Sequence, residues 1–238
     1  IDYIDNDIYY NFDGTEEYSL RSTYNNPNAI NIYYFNSVTL NGQDACGYAY
    51  YPLNNINFIA IDKYCATNGS TVIHEMGHFF GLLHTHDTNY GYEDPNGSNC
   101  SSTGDLCCDT PADPTLSQDN VNSNCVYTGT ATYDGRPYTP DTHNFMSYSR
   151  KTCRNIFSDE QIDFIFEWSK STERKNFLNP VSLQNQTISS TVTIEACKDI
   201  NVQNVTVTNG AKLTLDAENR TVINGAFEVE LGSELEIK

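Results

Sequence analysis

The residues best suited to chemistry lie together in the stretch His74-Glu-Met-Gly-His78-Phe-Phe-Gly81-Leu-Leu-His84. On an α-helix, side chains four apart leave the same face one turn apart. The imidazoles of His74 and His78 can therefore bind one Zn²⁺ at about 2.0–2.1 Å each. Glu75 is turned about 100° around such a helix, so it cannot ligate with the same geometry but can reach a water at the ion. His84 lies too far along to share the helical face. Gly81 can take a positive φ, stop the helix and turn the chain so that His84 supplies a third nitrogen. Three neutral nitrogens with an open fourth position describe a catalytic zinc rather than a structural one. Residue types this rare at five fixed positions recur by chance in about one chain in 10⁵ of this length, so accidental spacing is set aside.

These side chains need a helix to carry them. The spacing of Val72, Met76, Phe79 and Leu83 predicts one from Ser70 to Leu82, with Ser70 as N-cap. Alternation predicts strands at Ala29–Phe35 and Asn57–Asp62. Ser158-Asp-Glu-Gln161 reads as a capping box opening a second helix to about Ser171. The polar, Cys- and Gly-bearing region between the helices has no regular pattern, as in functional or cross-linked loops. His86, two residues past the expected third ligand, is read as a neighbour of the site, because a fourth imidazole would close it. His143 is read as structural, bonding to nearby backbone.

With 13 Lys and Arg against 31 Asp and Glu, the net charge is −18. That excludes a phosphate backbone as partner, since nucleic-acid binding needs a positive face. The sequence has no apolar run of about 18 residues, the length a membrane-spanning helix needs. It begins at Ile1 with no charged-then-apolar leader, so any signal or pro-segment is expected to lie outside it. Eight cysteines without a C-x-x-C pair suggest disulfides, hence a secreted or cell-surface protein. Cys46 and Cys65, on either side of the strand near Ile59, are expected to pair. Residues 64–135 hold no Lys or Arg but nine acids; such oxygen-rich irregular loops suit Ca²⁺. An acidic cleft also favours basic side chains on a substrate, just after the scissile bond.

Composition changes at Asn179-Pro180, which predicts a first domain over residues 1–179 and a small β module over 180–238. In the tail, Asn204-Val-Thr-Val-Thr-Asn-Gly-Ala211 matches Asn219-Arg-Thr-Val-Ile-Asn-Gly-Ala226 at an offset of fifteen, and Thr191–Ala196 gives a weaker third copy. A short period of this kind predicts stacked coils of a small all-β, solenoid-like domain; a β-sandwich is the alternative. The tail also resembles short repeat modules near the C-termini of secreted Bacteroidetes-type proteins, through Asn209–Ala217 and Phe227–Ile237, which implies a bacterial secreted source.

The pattern H-E-x-x-H-x-x-G-x-x-H resembles the zinc signature of the metzincin metallopeptidases. Asn144-Phe-Met146-Ser-Tyr148 resembles their Met-turn. Gly104-Asp105 and Cys108-Asp-Thr-Pro111 resemble the specificity loop of the pappalysin family, and Phe157–Gln161 resembles the helix start after its Met-turn. The resemblance spans roughly residues 29–169. It implies an α+β peptidase fold, with a mixed sheet and active-site helix above a loop-rich half. It makes His74, His78 and His84 zinc ligands, Glu75 general base and acid, Met146 an apolar floor under the imidazoles, and Tyr148 a partner of the metal or the oxyanion. It suggests pairs Cys100–Cys125 and Cys108 (or Cys107)–Cys153, leaving Cys107 and Cys197 over, and it adds weight to calcium. Such domains begin with a strand and a long backing helix. Only about 28 residues precede Ile30 here, interrupted by Asp13-Gly14 and Pro27, so that part is expected to be abbreviated or cut.

The resulting expectation is a secreted zinc endopeptidase acting on proteins or peptides, of unspecified oligomeric state. A catalytically silent zinc-containing adhesion protein and a zinc hydrolase of non-peptide substrates are the competing readings. The intact Glu75 opposes the first; the Met-turn and third histidine oppose the second.

Overall fold

The computed structural model describes residues 3–67, 69–178 and 180–238. The chain divides into two compact units, Ile1–Trp168 and Ser169–Lys238. The composition change at Asn179-Pro180 falls inside the second.

The first unit opens with β1 (Asn11–Phe12) and α1 (Glu17–Tyr24), then β2 (Asn31–Phe35), β3 (Ser37–Leu40), β4 (Gln43–Ala45), β5 (Gly47–Ala49) and β6 (Phe58–Asp62). The expected opening strand and backing helix are thus a two-residue strand and an eight-residue helix. The apolar run Phe58-Ile-Ala-Ile61 is buried along its length, as suits a central strand covered on both faces. It pairs parallel with β2, Ile32 opposite Ile59, and antiparallel with β5, Tyr48 opposite Ala60. Among the described residues β5 has no second partner, so one edge of that sheet is free. A small second sheet has the order β1-β3-β4. Phe12, Leu20, Phe35, Val38, Phe58 and Ala60 form the core they share.

Past the short helix α2 (Lys63–Ala66), α3 (Ser70–Phe79) packs on β5 and β6. Ser70 is not the N-cap. Gly69 holds that place at φ +76°, a conformation that glycine adopts without a Cβ penalty, and Ser70 is the buried first helical residue. The helix also stops three residues before Leu82. Gly81 has φ +92°, its N–H donates to the His78 carbonyl, and the Leu82 N–H donates to the Gly77 carbonyl. That is a Schellman stop.

The loop region carries only the hairpin β7 (Thr132–Tyr133) and β8 (Arg136–Pro137) before α4 (Asp159–Lys170). The Ser158 N–H donates to Gln161 Oε1 and the Gln161 N–H donates to Ser158 Oγ, so the capping box forms. Elsewhere Asp and Asn side chains close their own turns, as Asp94 does for Asn96 and Asp105 for Cys107. Cys46 pairs with Cys65 as expected. The other expected pairs are corrected: Cys100 bonds Cys108, and Cys125 bonds Cys153. The tight turns at residues 94–108 return Cys108 to Cys100. The small apolar cluster of Leu116, Val121 and Cys153, with Cys125 and Tyr127 packed on it, brings the second pair together. Cys107 and Cys197 are free.

The second unit is all-parallel. Its strands are β9 (Val181–Ile188), β10 (Val192–Ala196), β11 (Asp199–Val207), β12 (Lys212–Ala217), β13 (Arg220–Ile223), β14 (Phe227–Val229) and β15 (Glu234–Ile237). One sheet joins β9, β13 and β14 to β11; the other has the order β10-β12-β15. Ile200, Val202, Val205 and Val207 are buried from the first sheet, and Leu213 and Leu215 from the second. The stacking register is not fifteen residues. Val181 lies opposite Ile200, Val192 opposite Leu213 and Leu213 opposite Leu235, so the steps run from 19 to 22. The two Asn-Gly pairs behind the offset of fifteen are unlike places: Asn209-Gly210 turns from β11 to β12, whereas Gly225 lies over the side chains of Gln203 and Asn204.

Candidate metal centre and active site

α3 aims two of its histidines the same way. His74 Nδ1 donates to the Phe145 carbonyl and His78 Nδ1 to the Leu82 carbonyl, each at 2.7 Å. A carbonyl only accepts, so each neutral ring carries its proton on Nδ1 and a lone pair on Nε2. His84 Nε2 lies 3.2 Å from His74 Nε2 and 3.0 Å from His78 Nε2. Ligands at about 2.0–2.1 Å around a tetrahedral zinc sit roughly 3.3 Å from one another. The three ring nitrogens thus stand at the spacing of ligands around one ion, so the donor set fits Zn²⁺. Burial holds all three rings neutral, with His74 pushed down to about 3 and His78 to about 4; the His84 pKa is also depressed, first by burial and then by its two neighbours. Among the described residues this is the one cluster of three or more His, Cys, Asp or Glu side chains suited to an ion. Among the described residues no comparable group of acidic side chains stands for the expected calcium.

Glu75 is buried beside them. Burial pushes its carboxyl up to about 8, while Arg154 and Lys151 pull the other way. β5 passes close to it: a Cβ on Gly47 would meet the Ala60 carbonyl at 2.6 Å and Glu75 Cγ at 3.2 Å. The free edge of the sheet therefore runs past the carboxylate.

Met146 is fully buried, and a side chain on Gly77 would collide with its sulfur. It thus lies against α3 between the two helical histidines in sequence. Asn144 builds this turn: its Oδ1 accepts from the Met146 N–H, and its Nδ2 donates to Gln161 Oε1 on α4. The Tyr148 ring, half exposed, packs 4.6 Å from His84 and 4.5 Å from His86 between centroids. Its hydroxyl pKa is raised, by burial and then by Glu75. His86 stacks on the outer side of His84, 4.9 Å between centroids, and is not part of the converging trio. The His143 backbone carbonyl accepts from the Asn155 and Ile156 N–H groups, which ties down the segment leading to the turn, while its ring lies by the Asp141 and Thr142 side chains rather than bonding to backbone.

Three neighbours carried no motif. The Tyr51 hydroxyl lies 3.3 Å from His78 Nδ1. Lys151 and Arg154 supply the positive charge around Glu75. Only their place directly after the Met-turn could have flagged them.

The model of peptidase family M43, described as pregnancy-associated plasma protein-A, matches residues 13–168. The chain belongs to this family. The M43 chain is similar to an extracellular metalloprotease of Neurospora crassa, with 32% identity over 134 residues, covering 50% of this chain and 41% of that protein. It is also similar to one from Arthroderma gypseum, with 31% identity over 150 residues, covering 56% and 45%. The M43 chain thus spans less than half the length of these relatives. Among solved structures, mature mirolysin of Tannerella forsythia in complex with a cleaved peptide aligns at 21% identity and a TM-score of 0.40, covering 63% of this chain and 56% of that one.

Proposed function

We propose that this chain is a zinc-dependent endopeptidase that works outside the cell on protein or peptide substrates. One observation carries the reading: three imidazole Nε2 atoms, two of them on buried rings, converge beside a buried carboxylate. The similarity to extracellular metalloproteases and the disulfides support the setting.

His74, His78 and His84 would hold the ion. Zinc there supplies an acidified water and a polarised carbonyl. Glu75 takes the proton of the attacking water and hands it to the leaving amine. Its raised pKa suits a group that must accept and then release a proton near neutrality. Tyr148, whose ring packs 4.6 Å from that of His84, would donate its O–H to the developing oxyanion. The free edge of β5 can pair with an extended substrate and hold its backbone beside Glu75.

We read the second unit as a small β-solenoid serving as a spacer or secretion-linked module. The chain alternates between the two parallel sheets, with β13 and β14 together lying against β11, at near-constant steps of 19 to 22 residues, and this supports the reading. The peptidase is taken as residues 1–179 and the module as 180–238. No described helix is long and apolar enough to cross a membrane.

The test is casein digestion by purified protein of known zinc content. A chelator should abolish cleavage, and added zinc should restore it. Full zinc occupancy with no cleavage of casein or a peptide library would favour a silent binding protein.

A further inference from the structure

The chain has few cations, and none between residues 64 and 135, yet three follow the Met-turn directly: Arg150, Lys151 and Arg154. Arg150 is spent on the loop, since its guanidinium donates to the Gln118 and Val121 carbonyls. The other two are placed differently. Lys151 Nζ lies 2.6 Å from Cys46 Sγ, one residue before the Gly47 that faces Glu75. Arg154 Nη1 donates to the Ser147 carbonyl at 3.1 Å, between Met146 and Tyr148. Its Nε is buried and finds no acceptor, and among the described residues no carboxylate pairs with it. Both charges thus come from the segment after the Met-turn: Lys151 reaches the residue before β5, and Arg154 reaches the backbone of the Met-turn.

A buried guanidinium donor without an acceptor is costly. With Nε closed to solvent, the Nη end of the planar group is what a carboxylate would meet. Arg154 is the leading cation in the surroundings of Glu75 and Tyr148, and its charge reaches His74 and His84 as well. The net charge of the chain argues for basic substrates, but the two cations that follow the Met-turn and act on Glu75 argue the reverse. Contact selectivity is set by the groups that touch the substrate.

Building on the peptidase reading, we propose that Arg154, helped by Lys151, is a specificity-determining residue that selects a substrate carboxylate next to the scissile bond. That carboxylate belongs to an Asp or Glu side chain or to the end of the substrate chain.

The test uses zinc-loaded protein and fluorogenic peptides that differ only by Glu, Gln or Arg at each position flanking the cut, with amidated or free C-termini. At one position Glu should exceed Gln in kcat/KM by about tenfold or more, the scale of a charge-assisted contact. If the gain follows a free C-terminus instead, the chain end is the selected group. R154Q should erase the ratio and R154K should keep part of it. Equal cleavage of Glu and Gln peptides by the wild type, with no gain from a free C-terminus, overturns the proposal, as does a preference for Arg. Fluorescence anisotropy of labelled Glu and Gln peptides provides a second readout. If no peptide is cut, the peptidase reading falls; Arg154-dependent binding of the Glu peptide would still uphold the selectivity, and equal binding would end it.

Discussion

At the scale of residues, the site separates holding a metal from moving a proton. His74 and His78 donate from Nδ1 to carbonyls and so present Nε2, which His84 Nε2 meets; Glu75 lies beside the trio but is not one of the converging groups. Glu75→Gln should therefore keep one zinc per chain by elemental analysis while casein cleavage drops by about 10²–10⁴-fold, the usual share of a general base. The same groups fix a pH signature for the metal-free protein. The depressed histidines stabilise the fold above their unfolded value of 6.5, and that contribution drains away as pH falls toward the folded values of about 4 and about 3. Glu75, raised to about 8, contributes fully below its unfolded 4.5 and loses that contribution as pH rises through about 8. Between these unfolded values the two trends oppose, and three rings outweigh one carboxyl. Stability from these groups should therefore peak near pH 6.5. Urea midpoints of chelated protein should fall on both sides of it, and Glu75→Gln should lose the alkaline fall alone.

At the scale of elements, the third ligand depends on one glycine. At φ +92° Gly81 ends α3, and an added Cβ would meet Trp168 Cδ1 and Nε1 at 2.6 Å. Gly81→Ala thus combines backbone strain with overpacking, and should cost about 2–4 kcal/mol in chemical denaturation. Because His84 follows that turn, zinc affinity should fall in the same variant. An unchanged affinity would show that His84 is positioned independently of the stop. This part of the molecule was legible in sequence, since a helix period, a glycine and a histidine spacing are local signals. The strands at Ile32 and Ile59 and the capping box at Ser158 were legible for the same reason. Cysteine pairing was not, because it depends on where the tight turns at residues 94–108 and the cluster around Leu116 take the chain. The tail register was misread because similar turn residues recur at unlike corners. The register itself is set by which β-branched residues face inward, as Ile200 and Val202 do. Arg154 carries no pattern at all; its partners are a carbonyl at Ser147 and charges that only the fold brings near.

At the scale of the whole molecule, two electrostatic effects of different range act on a substrate. The net charge of −18 creates a long-range field that repels acidic peptides and attracts basic ones, and it is screened over about 10 Å at 0.1 M salt. The Arg154 contact acts at hydrogen-bond range in a partly buried place, where mobile ions screen little. Salt should separate them. Raising ionic strength from about 0.02 to 0.3 M, where the screening length shrinks severalfold, should increase kcat/KM for an acidic peptide and decrease it for a basic one. The preference for Glu over Gln at the selected position should widen with salt, because the repulsive field weakens while the contact persists. A preference that shrinks with salt would mean that the positive charge is read at a distance, and that neither Arg154 nor Lys151 touches the substrate.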